Sequence, residues 1–125
     1  MAVDGMSFRP LDVDEINARE YAHRAHKFAT DGDNIAYPLL GLAEEAGEVA
    51  GKAAKWIRKN GGRMDMEKDP ALCEDMKKEL GDCAWMMNEL MLKFGFTWEQ
   101  IFCHNVEKLQ DRFDRGVIVG SGDNR

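Results

Sequence analysis

Prolines and glycines divide this sequence into helical segments. The chain has only three prolines, and two of them, Pro38 and Pro70, stand where apolar residues begin to recur every three to four positions. The first turn is where a helix tolerates proline best. Glycine follows each periodic stretch, as it does at many helix C-termini. These signals predict helices at about 13–30, 38–60, 70–94 and 98–115.

Polar residues at the starts of these segments support the same division. Asp69 stands before Pro70 as a predicted N-cap, and Thr97 with Gln100 has the spacing of a capping box. Asp12 with Glu15 has that spacing too. No segment shows sustained period-2 alternation of β-branched residues, so the predicted fold is all-α.

Length and composition limit the classes of protein that fit. A chain of 125 residues, 44% hydrophobic and 32% charged, is typical of one globular domain, here with residues 1–12 as an N-terminal extension and 116–125 as a C-terminal tail. A net charge of −6 argues against a nucleic-acid polymer as partner, because acidic surfaces repel phosphates. No apolar run is long enough to cross a membrane. The absence of a secretory signal and an odd number of cysteines without CxxC spacing predict reduced thiols in a cytoplasmic protein.

Two pairs of acidic residues mark the second and third helices. Glu45 and Glu48 are three residues apart and border the apolar face of the second helix, and Glu79 and Asp82 do the same on the third. Antiparallel packing of these helices would bring four carboxylates together. Such a group is costly to assemble unless a cation neutralises it. The pattern therefore predicts a metal site.

A glycine within each acidic motif suggests a further feature. Gly47 and Gly81 lie inside helices, where glycine costs about 1 kcal/mol relative to alanine. We expect these glycines to mark a close approach of the two helices.

The donor type indicates which metal would bind. Carboxylate oxygens without nearby histidine or cysteine favour Mg²⁺, or Mn²⁺, over Zn²⁺. A di-iron bundle is the nearest alternative, but it uses Glu-x-x-His motifs that neither acidic pair contains. His23 and His26 have no third ligand nearby in the sequence and are interpreted as a surface pair.

Basic and aromatic residues give the sequence candidate contacts for a phosphorylated ligand. Asn105, Lys108 and Arg112 share one side of the fourth helix, and they are either phosphate contacts or solubilising residues. The basic residues of the second helix either form ion pairs with acidic residues or bind phosphate. Those residues are Lys52, Lys55 and Arg58. Four aromatic residues either stack on a base or pack in the protein interior: Phe28, Tyr37, Trp56 and Trp85.

The acidic motifs resemble a known family. Glu44-Glu45-x-x-Glu48 followed by Glu79-x-x-Asp82 is similar to the EExxE and ExxD motifs of MazG-like nucleoside triphosphate pyrophosphohydrolases. The segments 37–49, 78–85 and 105–113 follow in the family's order. The tail from Arg115 onward is similar to that of compact stand-alone members, many of them from phages or bacteria.

The resemblance implies an all-α, oligomer-forming, four-helix MazG-like bundle, present as a homodimer or homotetramer. It implies hydrolysis of (deoxy)nucleoside triphosphates to a monophosphate and pyrophosphate. By position, Glu45, Glu48, Glu79 and Asp82 would bind Mg²⁺. Glu44 would orient or deprotonate the attacking water, or would be a surface residue.

The resemblance also assigns the phosphate contacts: Asn105, Lys108 and Arg112, with Lys55 as a further candidate. The tail, including Asn124 and Arg125, either folds over a phosphate or is a frayed end. Two other functions remain open at this point. One is a nucleotide- or metal-binding regulator with little catalysis, and the other is a helical adaptor whose acidic face docks a basic partner.

Overall fold

The computed structural model describes residues 10–30 and 32–123, and every element in these ranges is helical. The four α-helices are α1 (Ala18–His26), α2 (Ala36–Lys59), α3 (Pro70–Phe94) and α4 (Trp98–Asp114), and two 3-10 turns occupy Val13–Glu15 and Met66–Lys68. The predicted all-α, four-helix fold is therefore confirmed. Residues 1–9 of the predicted extension, and Asn124 and Arg125 of the tail, lie outside the described residues.

The predicted caps of α3 and α4 are both present. The Asp69 carboxylate accepts hydrogen bonds from the N–H groups of Ala71 and Leu72, and Pro70 is the first residue of α3. Thr97 and Gln100 form the reciprocal capping box at the start of α4. Helix α3 ends at Gly95, whose φ of 72° is the left-handed conformation that favours glycine.

The two N-terminal helices differ from their predicted bounds. The Asn17 side chain accepts from the Glu20 N–H and starts α1 at Ala18, after Ile16 in an extended conformation. The predicted helix over 13–30 was therefore too long at both ends, because α1 ends at His26. Helix α2 begins at Ala36, two residues before Pro38, so Pro38 is not the first helical residue. Asp12 caps the first 3-10 turn instead of a helix.

Helices α2 and α3 form the main helix pair and run antiparallel. Residue numbers that rise along α2 face numbers that fall along α3: Gly41 lies against Met86, and Lys52 pairs with Asp75. Helix α1 packs on α3, and α4 contacts α1. None of the described helices combines the length and apolarity needed to cross a membrane.

The close approach of the two helices occurs at a glycine other than those predicted. A Cβ at Gly41 would collide with the Met86 thioether, whereas a Cβ at Gly47 or Gly81 would meet nothing within 4 Å. The prediction for Gly47 and Gly81 was therefore wrong. Among the glycines of α2 and α3, a close contact that a Cβ would block occurs at Gly41.

The buried apolar side chains of the described residues are few. Leu72, Met86 and Met91 of α3 are buried, as is Pro38 of α2. Three large apolar residues of α2 and α3 are about half exposed: Leu39, Leu80 and Phe94. Helix α3 buries the polar residues Asn88 and Glu89 alongside its apolar residues.

Candidate metal centre

Three acidic side chains meet between α2 and α3. One carboxylate oxygen from each of Glu45, Glu79 and Asp82 lies within 4.8 Å of the other two. The antiparallel register places Glu45 opposite the third helix's acids, and the three-residue spacing puts Glu79 and Asp82 on the same side of α3. Glu48, the fourth predicted ligand, is exposed and lies outside this group.

The acidic cluster, defined as Glu45, Glu79 and Asp82, has a strongly negative local field. The pKa of Glu45 is raised, first by partial burial and next by the charge of Asp82, with Glu44 and Glu79 adding to it. Burial and the same acids also raise the pKa of the neighbouring Cys83 thiol. The three acids repel one another, and a cation would relieve that repulsion.

One cation of the chain already borders the acidic cluster. Lys52 Nζ lies 3.5 Å from Asp75 Oδ2 and 3.4 Å from Glu79 Oε1. These carboxylates, Asp75 foremost, raise the pKa of Lys52. The lysine neutralises one edge of the cluster, at Glu79, and leaves Glu45 and Asp82 without a basic partner in the described part of the chain.

The donor set fits a hard divalent cation. All three groups are carboxylates, close enough for one oxygen of each to enter a single coordination sphere, which suits Mg²⁺ or Mn²⁺. No histidine belongs to this cluster. His23 and His26 are both exposed, in agreement with their interpretation as a surface pair, and His26 also places Nδ1 2.9 Å from Oε2 of the buried Glu89.

An aromatic cavity of about 460 Å³ adjoins the cluster at Asp82. Tyr21, Phe28 and Trp85 line it, with Arg24 among the other lining residues. The Trp85 indole N–H donates to the Ala25 carbonyl at 3.2 Å, which fixes the ring against α1. Two of the four aromatic residues singled out in the sequence therefore lie in one cavity beside the acids.

The other two predicted aromatic residues lie elsewhere. Tyr37 lines a cavity of about 320 Å³ together with Glu44 and Glu45. Trp56 donates its indole N–H to Asp69 Oδ2 at 2.7 Å, so its polar edge supports the cap of α3.

A lysine cavity of about 300 Å³ lies at the opposite end of the cluster from the aromatic cavity. Lys52, Lys55 and Lys59 line it, one helical turn after another along α2. Lys55 and Lys59 form no ion pair within the described part of the chain. Along α3, the acidic cluster therefore lies between the aromatic cavity and the lysine cavity, which Asp69 and Asp75 also line.

The predicted phosphate contacts of α4 lie apart from the acidic cluster. Helix α4 contacts α1, whereas the cluster lies between α2 and α3. Lys108 Nζ and Arg112 Nη2 both pair with Asp123 of the tail, at 3.4 Å and 2.8 Å. Asn105 is exposed. One chain thus does not bring its α4 cations and its acidic cluster together.

Sequence reasoning missed three polar residues that the fold uses. Asn88 and Glu89 are buried on α3, and Asp123 pairs with α4. The apolar periodicity of α3 gives no sign that Asn88 and Glu89 face inward. The glycines of the tail could have indicated that Asp123 folds back onto α4. Gly116 and Gly122 both adopt positive φ, and such residues turn the chain.

Comparison with known proteins agrees with this geometry. A model of the MazG nucleotide pyrophosphohydrolase domain matches residues 36–117, a range that contains the whole acidic cluster and α4. Gene 37 protein of Mycobacterium phage L5 is 37% identical over 118 residues, which cover 92% of this chain and 98% of the phage protein. No solved structure matches the chain significantly. The family model covers well over half of the sequence, and the chain belongs to the MazG nucleotide pyrophosphohydrolase family.

Proposed function

We propose that this protein hydrolyses nucleoside or deoxynucleoside triphosphates to the monophosphate and pyrophosphate, in a reaction that requires Mg²⁺ and takes place in the cytoplasm. The acidic cluster between α2 and α3, inside the matched MazG domain, is the observation that carries this proposal. Membership of the family supports a nucleotide as the substrate.

The proposal assigns a role to each acidic residue in and beside the cluster. Glu45, Glu79 and Asp82 hold Mg²⁺, or Mn²⁺ in its place, and Glu48 completes the site from the exposed rim of α2. Bound metal would offset the negative charge of the phosphates and of the leaving pyrophosphate. Glu44, which lines a cavity with Glu45, orients or deprotonates the attacking water.

The two cavities beside the cluster suggest how a nucleotide lies. The aromatic cavity at Asp82 offers Phe28 and Trp85 for stacking on a base. Lys55, in the lysine cavity, pairs with no acid among the described residues and offers a cation for the β- and γ-phosphates. A triphosphate extended between them would place its α,β-anhydride bond over the carboxylates.

A homodimer or homotetramer is part of the same proposal. The chain exposes 9839 Å², whereas a compact monomer of its mass exposes about 6,800 Å². Residues outside the described ranges would account for about 2,000 Å² of the excess even if fully exposed. The α4 stripe, defined as Phe102, Val106, Leu109 and Phe113, is exposed along its length with 4-3-4 spacing. We propose this stripe as a contact between copies and, separately, Asn105, Lys108 and Arg112 of α4 as contacts for the phosphates of the nucleotide.

Turnover of a charge-neutral variant tests the function. Glu79→Gln keeps the shape of the side chain and removes one ligand charge, so Mg²⁺-dependent release of pyrophosphate from a panel of NTPs and dNTPs should fall about 100-fold or more. Glu74→Gln is the matched control, because Glu74 is an exposed acid on the same helix, outside the acidic cluster, that pairs with Lys77 at 2.6 Å. Turnover by Glu79→Gln at the level of the control would contradict the proposal. Tight nucleotide binding by the parent protein without any turnover would instead favour a regulator.

A further inference from the structure

The C-terminal tail folds back onto the last turns of α4. Gly116, with φ of 69°, ends the helix, and the Val117 N–H then donates to the Arg112 carbonyl at 2.9 Å. A second positive φ, 78° at Gly122, turns the chain again. Only glycine adopts these angles without strain. The two turns bring Asp123 beside Lys108 and Arg112.

The Asp123 carboxylate occupies a site made of two cations. Its Oδ1 accepts from Arg112 Nη2 at 2.8 Å and from Lys108 Nζ at 3.4 Å. The hydrogen bond from Arg112 is the main reason why the pKa of Asp123 is lowered, so the carboxylate remains ionised at neutral pH. The Asp123 carbonyl oxygen also lies 3.5 Å from Arg112 Nη2.

Burial differs sharply between the two sides of this ion pair. Arg112 is only 5% exposed and is held by packing, whereas the side chain of Asp123 is 83% exposed. The cation is therefore held in place by packing, whereas its anionic partner faces solvent.

Arg112 retains an unused donor. Its Nε atom is buried and has no hydrogen-bond partner among the described residues. The Asp123 contacts use Nη2 alone. A guanidinium group can donate in parallel to two oxygens of one phosphate, and the lysine can reach a third. Asp123 thus uses only part of the hydrogen-bonding capacity of Arg112, and a larger oxyanion could use more of it.

We propose that Asp123 is an intramolecular competitor at the Lys108–Arg112 pair, which a phosphorylated ligand must displace. The proposal rests on the proposed function, which assigns these two cations to a nucleotide phosphate. The tail then acts as a gate. Apparent affinity for the ligand equals the intrinsic affinity reduced by the fraction of chains in which the site is open.

Calorimetric titration with inorganic pyrophosphate in EDTA tests this gate without the metal-dependent reaction. Asp123→Asn keeps the size of the side chain and removes its charge, so we expect pyrophosphate to bind about three- to tenfold more tightly than to the parent protein. Asp114→Asn removes the same charge from the end of α4, where Asp114 accepts a hydrogen bond from Gln110 at 2.7 Å, and should leave the affinity unchanged. Adding Lys108→Gln to Asp123→Asn should abolish the gain.

Several results would overturn the proposal. Unchanged or weaker binding by Asp123→Asn would show that Asp123 does not compete, as would an equal gain in Asp114→Asn, which would trace the effect to net charge. Absence of pyrophosphate binding in every variant would remove the oxyanion site itself. If Asp123→Asn binds pyrophosphate more tightly but the parent protein hydrolyses no nucleotide, the competition by Asp123 is supported and only the hydrolase function is contradicted.

Discussion

The Asn88 side chain joins three helices, and its bond to Trp98 connects α3 to α4. The Trp98 indole Nε1 donates to Asn88 Oδ1 at 2.9 Å, and Asn88 Nδ2 donates to the Ala22 carbonyl of α1 at 3.2 Å. Asn88 is 1% exposed, so neither bond competes with water. Since α4 otherwise contacts chiefly α1, this amide is a main determinant of where α4 lies.

Replacement of Asn88 should therefore destabilise the protein markedly. Asn88→Ala leaves the Trp98 N–H and the Ala22 carbonyl without partners in a buried place, and we expect a loss of about 2–3 kcal/mol in the free energy of unfolding. Urea titration measures it. Asn105→Ala, at an exposed asparagine of α4, should change that free energy by less than about 0.5 kcal/mol. Equal losses in the two variants would contradict the assigned role of Asn88.

The cap at Asp69 predicts a pH dependence of stability. The pKa of Asp69 is lowered, first by the hydrogen bond from Trp56 and next by backbone N–H groups of α3. A carboxylate with a depressed folded-state pKa stabilises the protein above its unfolded value of 3.8. That contribution is lost as the pH falls through the lower, folded value. The difference in Tm between the parent protein and Asp69→Asn should thus be full at pH 7 and shrink below about pH 4. A difference that stays constant down to pH 2.5 would contradict this reasoning.

The aromatic cavity predicts an effect on substrate affinity without an effect on stability. Phe28 is 70% exposed, so Phe28→Ala should leave Tm almost unchanged. Loss of a stacking partner should raise KM for the nucleotide about fivefold or more. Phe96→Ala, which removes a ring from a different cavity at the turn between α3 and α4, is the control. An equal KM for the parent protein, Phe28→Ala and Phe96→Ala would show that the base binds outside the aromatic cavity.

The α4 stripe predicts a change in assembly. Val106 is 64% exposed in the single chain, and Val106→Glu would put a charge in the centre of the proposed contact. Light scattering after size exclusion should show a lower mass for this variant than for the parent protein. His104→Glu, on the opposite side of α4, should retain the parent mass. A monomeric parent protein, or an unchanged mass for Val106→Glu, would contradict the contact.

The sequence was sufficient to predict the number of α-helices and all three members of the acidic cluster, for physical reasons. Caps such as Asp69 and Thr97 act through neighbours in sequence, so local patterns reveal them. Glu79 and Asp82 share a face of α3 in any helix, and an antiparallel partner brings Glu45 to them. The position of Glu48, exposed and outside this group of three, depends on how α2 is rotated against α3. Residue spacing along a helix does not specify that rotation.

Long-range polar contacts were beyond the reach of sequence patterns. Glu89 resembles a surface residue in the sequence, yet the packing of α1 on α3 buries it against His26. The pairing of Asp123 with Arg112 depends on two glycine turns acting together. Neither turn alone indicates which part of α4 the tail will contact. Such contacts are set by tertiary packing and not by helical periodicity.

The measurement that tests the central claim most directly is identification of the products of nucleotide turnover by ³¹P NMR, with Mg²⁺ and with EDTA. If the acidic cluster of Glu45, Glu79 and Asp82 supports pyrophosphohydrolysis, nucleoside monophosphate and pyrophosphate will appear in equal amounts with Mg²⁺ and not with EDTA, and Asp82→Asn will abolish both. Release of nucleoside diphosphate and inorganic phosphate, or product formation by Asp82→Asn at the parent rate, would contradict the claim.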